Sequence, residues 1–228
     1  MVDIASTSFD GNLLEKAVRK IARSSDETQK LARRRLAQAR TKAPGASDLD
    51  LQSRVAKTIV RGHTLRSGVA GGGTGLIGAV PGVGTVAAIS AGVTADVILQ
   101  MKVNVDMCHA LVYVFKPDME PEEAFSLAVT LASYGTLEKQ GARKVGGAAT
   151  RLASQAGVRV LRQQLRGSAL LATKQAFKRV GIVFTRKAVE KAIPFGVGAV
   201  ISSGVNAGLT TYVGREARKW LELDAVME

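Results

Sequence analysis

Residues 67–95 form a run of 29 positions without a formal charge, and nine of them are glycine. A segment that apolar leaves water, so it packs inside a core or enters lipid. Pro81 stands at its midpoint and, with Gly82, marks a turn. Each arm is then 14 residues long, about 21 Å as a helix. The hydrocarbon layer of a bilayer is about 30 Å thick, so neither arm crosses it. The run is predicted to be a hairpin that is buried in a helical core, lies in the membrane interface or re-enters it. Gly71 and Gly75, like Gly78 and Gly82, stand four apart, which on a helix places both on one face and permits close backbone approach.

A second uncharged stretch covers residues 192–214 and holds five glycines and Asn206. Gly204 and Gly208 repeat the four-residue spacing. Its 23 residues exceed the roughly 20 needed for a span, and Lys191, Arg215, Arg218, Lys219, Tyr212 and Trp220 suit the ends of a membrane segment. The small and polar residues equally suit a helix buried in a soluble core. A buried core helix, a peripheral or re-entrant membrane segment and a true span all stay open, and the two uncharged stretches are predicted to pack on one another.

Charge is sorted along the chain. Residues 1–66 hold 14 basic and 7 acidic side chains, and residues 136–191 hold 13 and 2. The intervening residues 67–135 have only 2 basic against 6 acidic. The overall excess of +13 favours a polyanionic partner, either an anionic membrane face or nucleic acid. Aromatic residues are 4% of the chain, which argues against readers that stack single-stranded bases on rings. The first twelve residues contain Asp3 and Asp10 and no basic residue; this is unlike a secretory signal and suggests a cytoplasmic start.

Helical periodicity and helix-start signals recur. Ser24-Ser25-Asp26-Glu27 opens one helix, Asp48 or Asp50 caps the next, and Pro121-Glu122-Glu123 begins another. No alternating run with a hairpin dipeptide is present, so the expected class is all-α, a helical bundle with a glycine-rich apolar hairpin and basic amphipathic helices. A basic helical arm at 1–54 and an acidic tail at 223–228 are expected to flank the rest of the chain.

Chemistry-bearing motifs are few. Residues 73–78 match G-x-G-x-x-G, but no strand precedes them and Pro81 follows, so dinucleotide binding is not expected. Cys108 and His109 are adjacent and project about 100° apart on a helix, unlike a nucleophile and its base. With His63 the only other histidine, no zinc set can be assembled. Neither a catalytic group nor a cofactor is therefore expected. Asp96, Gln100 and Asn104 follow one another at four-residue intervals as a polar stripe; we read it as a seam within a bundle, the alternative being an ion path in lipid. Arg151, Arg159, Arg162 and Arg166 fall within a stripe about 80° wide at helical pitch, opposite Val158, Val160, Leu161 and Leu165. Such a basic amphipathic helix lies on anionic lipid, or less favourably on a nucleic-acid backbone.

The order of these features resembles the EcsC family over about residues 55–222. The resemblance is carried by residues 78–82 (Gly-Ala-Val-Pro-Gly), Asp96, Tyr113, Pro121-Glu122-Glu123 and Phe125. The C-terminal signature continues it with residues 191–196, Asn206-Ala207, Val213-Gly214 and Ala217-Arg218-Lys219-Trp220. The family usually has Tyr-Gly before the acidic turn, where this chain has Tyr113-Val114-Phe115. The resemblance implies a bacterial, helical, membrane-associated protein of poorly defined biochemistry; the expected location is cytoplasmic, peripheral or re-entrant at the inner face of the membrane. It names neither a protein partner nor an oligomeric state. The expected role is thus a non-enzymatic accessory or scaffold on anionic lipid, the alternative being a soluble nucleic-acid-binding or scaffold module.

Overall fold

The computed structural model describes residues 18–71, 95–141, 155–156, 158–159, 162–163 and 198–227. Five helices dominate: α1 (Ser25–Lys42), α2 (Asp48–Gly71), α3 (Ala95–Phe115), α4 (Pro121–Gly141) and α5 (Gly198–Val226). The chain is all-α, with no strand among the described residues. No described helix is long and apolar enough to cross a membrane. Gly75, Gly78, Gly82, Arg151 and Arg166 lie outside the described residues.

Local sequence sets the helix ends. Ser24 caps α1, its Oγ accepting the Glu27 amide at 3.3 Å. Asp26 and Glu27 favour the positive end of the helix dipole, and Arg40 and Lys42 the negative end. Pro44 and Gly45 form the turn that follows. The cap of α2 is Ser47 rather than Asp48 or Asp50: its Oγ accepts the Asp50 amide at 3.2 Å and donates to Asp50 Oδ2 at 2.7 Å. Serine wins because its short side chain reaches that third amide from the residue just outside the helix. Pro121 opens α4 with Glu122 and Glu123 in its first turn.

Helix α3 is central and packs on all four others. Its Val105, Cys108, Leu111, Val112 and Val114 are fully buried although they point in different directions around the helix. On α4, Ala124, Leu127, Ala128 and Leu131 close one side, while Trp220 and Leu221 of α5 close another. Burying a side chain of leucine size contributes about 1.5–3 kcal/mol, so this layer around α3 stabilises the described core.

The expected boundaries at 54/55 and 222/223 both fall inside continuous helices, α2 and α5. The basic arm is also docked. Val18 and Ile21 are buried, and Arg19 stacks 4.3 Å above the Phe125 ring while pairing with Glu122 at 3.1 Å. Gln29 Nε2 donates to Pro117 O at 2.7 Å, and Arg33 pairs with Asp118. Charge reports the solvent face of a helix, while docking depends on its sparse apolar face.

Candidate functional site

The two longest described helices, α2 and α5, run antiparallel along the most extensive interface among the described helices. Their register is set by contacts along the seam. Gly68 faces Ala207, and a Cβ on Gly68 would lie 3.6 Å from the alanine methyl. Thr64 and Thr211 join hydroxyls at 3.0 Å. Gly214 lies so close to Val60 that a Cβ there would fall 2.8 Å from both valine methyls and 2.9 Å from Met107 Sδ. The described ends of the two uncharged stretches therefore pack through small residues, but Gly68, Ala207 and Gly214 make the approach. Gly71 and Gly204 lie on α2 and α5, and Gly208 is half-buried on α5.

Carried one turn further, the same register sets Lys57 across from Arg218 and Arg61 across from Arg215. The four line a groove of about 440 Å³ with Thr64 and Thr211. Lys57, Arg61 and Arg215 are exposed and have no ion pair with another described residue. Arg218 is half-buried, 3.5 Å from Glu222. Thr211 donates to Ala207 O at 2.8 Å, so the hydroxyl proton of Thr64 serves Thr211 and the groove offers cationic donors only. On its other side α2 borders a second groove of about 440 Å³, where Arg54 meets Arg35 and Lys42 of α1. Arg54, Lys57, Thr58, Arg61 and Leu65 share the outer face of α2 at helical spacing, and Leu65 is 63% exposed.

Beneath that seam, Gln100 and Asn104 of the polar stripe are buried in a closed hydrogen-bond ring. Ser67 Oγ donates to Gln100 Oε1 at 3.1 Å, Gln100 Nε2 donates to Thr210 Oγ1 at 2.9 Å, and Thr210 Oγ1 donates back to Ser67 Oγ at 3.0 Å. Asn104 Oδ1 accepts from Gln100 Nε2 at 3.2 Å and lies 3.0 Å from Thr210 Oγ1. The ring ties α2, α3 and α5 together where an unpaired amide would carry a desolvation cost. For these two residues the geometry is that of a bundle seam. Asp96 lies in the first turn of α3.

The arginine stripe does not present a single surface. Arg159 is exposed, whereas Arg162 turns inward: its Nε donates to Asp224 Oδ1 at 2.5 Å and an Nη donates to Asp224 O at 2.9 Å. Lys116 Nζ lies 2.8 Å from Asp224 Oδ2, an ion pair whose angles are not those of a hydrogen bond. Asp224 is fully buried. A carboxylate there requires countercharge, and this demand claims Arg162 from the lipid-facing role its helical spacing suggested.

Buried His109 and half-buried His63 stand near a second carboxylate, Asp106, which pairs with Lys102 and accepts the Arg23 amide at 2.9 Å. Burial pushes both His63 and His109 down to about 4, against a smaller opposing pull from Asp106. His109 Nε2 lies 3.3 Å from Ser25 Oγ, and its Nδ1 has no hydrogen-bond partner among the described residues. Burial raises the Cys108 thiol far above its ordinary range, leaving an inert core residue. Among the described residues no group of three His, Cys, Asp or Glu side chains is placed to hold a metal ion.

The α2–α5 groove was not singled out from the sequence. Its signal was present as Lys57 and Arg61 four apart and Arg215 and Arg218 three apart, each pair just outside an uncharged stretch. Only the antiparallel register joins them. No protein-family model matches the chain, and no curated protein or solved structure matches it. The resemblance to the EcsC family rests on the residues quoted for it.

Proposed function

We propose that this is a non-enzymatic helical protein that attaches to the cytoplasmic face of a bacterial membrane, as an accessory or scaffold. The observation that carries this reading is the placement of a basic face, without an ion pair to another described residue, beside the end from which both uncharged stretches leave the described helices. The α2 face bearing Arg54, Lys57 and Arg61 leads within six residues, about 9 Å of helix, into the uncharged run that starts at Ser67. On α5, Arg215 follows directly on the last uncharged residue, Gly214. Cations at headgroup level with apolar segments beyond them make up the pattern of an interfacial protein. The resemblance to the EcsC family supports the same location.

Fractionation of cells expressing the chain at native level tests this. Recovery with membranes, with release governed by carbonate or detergent, is expected. Recovery wholly in the soluble fraction would sink the proposal.

A further inference from the structure

Resting on that membrane reading, we propose that the α2–α5 groove is a headgroup site, in which Lys57, Arg61, Arg215 and Arg218 bind the phosphodiester of an anionic lipid. The helix register sets like charges across from one another, and among the described residues Lys57, Arg61 and Arg215 have no ion-pair partner to relieve it. An anion between the two helices removes that repulsion. The chemistry selects phosphate. Three guanidinium forks suit bidentate contact with its oxygens, and Lys57 adds a point charge. The hydroxyl protons of Thr64 and Thr211 are spent within the protein, so the groove favours an acceptor-only, fully ionised ligand.

Shape and position favour lipid over a nucleic-acid duplex. Lys57, Arg61, Arg215 and Arg218 converge from two helices on a groove of about 440 Å³, the scale of a small-molecule site. Leu65, 63% exposed, lies one turn beyond Arg61 toward the uncharged end. That is where the acyl side of the interface would be if the groove held a headgroup.

The test compares two full-length variants with equal charge removed. One carries Lys57→Gln, Arg61→Gln, Arg215→Gln and Arg218→Gln. The control carries Lys20→Gln, Lys30→Gln, Arg33→Gln and Arg34→Gln, all exposed in the structure. Binding is measured to vesicles of phosphatidylcholine mixed evenly with phosphatidylglycerol. The groove variant is expected to lose at least about tenfold in affinity and the control less than about threefold. Thermal melting of the groove variant should be at or above the wild type, since repulsion has been removed. If it does not fold, the pair Arg61→Gln and Arg215→Gln is read in the same way. Equal losses in both variants would overturn the groove while leaving membrane attachment standing. Failure of the wild type to bind these vesicles would overturn both. Two further arms distinguish the source of phosphate. Release of the wild type by millimolar inorganic phosphate, or its transfer to excess duplex DNA with matching loss of DNA binding in the groove variant, would overturn the assignment to lipid.

Discussion

Two glycines on neighbouring helices separate close packing from mere flexibility. A methyl at Gly214 meets Val60 and Met107 below 3.0 Å, so Gly214→Ala should destabilise by about 1–3 kcal/mol through overpacking. A methyl at Gly62 would have nothing within 4 Å of it, so Gly62→Ala should stabilise by about 0.5–1 kcal/mol through helix propensity. Denaturant midpoints of the two variants measure this, and the same sign for both would contradict the seam. The histidines make a second residue-scale prediction. His63 and His109 titrate near 4 when folded and 6.5 when unfolded. Between those values the unfolded chain binds more protons, so stability should fall as pH drops from about 6.5 toward 4. A fully buried ring accounts for about 3 kcal/mol at most. His109→Phe should flatten that slope; an unchanged slope between pH 7 and 5 would show that His109 does not carry it.

At the scale of elements, the three-helix polar ring should act as one unit. Thr210→Val removes a donor and an acceptor from Gln100 and Ser67, and should cost about 1–3 kcal/mol. Ser67→Ala combined with it should add less than the sum of the single losses, because both changes break the same ring. Additive effects would contradict it. Helix starts were legible in this sequence because their signals are local: Ser24 accepts an amide three residues on, and Pro121 brings a helical φ and no N–H to satisfy. The spacing of Gln100 and Asn104 was legible too, as one face of a helix. Their partners Ser67 and Thr210 were not, since they lie on helices brought together only by tertiary packing. Arg162 shows the opposite failure. Its spacing matched a surface stripe, but the buried carboxylate of Asp224, 62 residues away, decided its direction.

Across the whole molecule, a core centred on α3 holds two long antiparallel helices whose outer basic faces stand next to the uncharged stretches. The all-α class was readable from helical periodicity without hairpin signals, whereas the groove depended on a register no single segment encodes. The proposed membrane attachment through this face should combine charge with apolar insertion, and therefore weaken as salt screens the charged part. Flotation of the full chain with vesicles, with and without phosphatidylglycerol, tests that most directly. Flotation with the anionic vesicles, little with pure phosphatidylcholine, and loss of part of the bound fraction at high salt are expected. Failure to float with either, or flotation indifferent to lipid charge, would contradict attachment through the basic face.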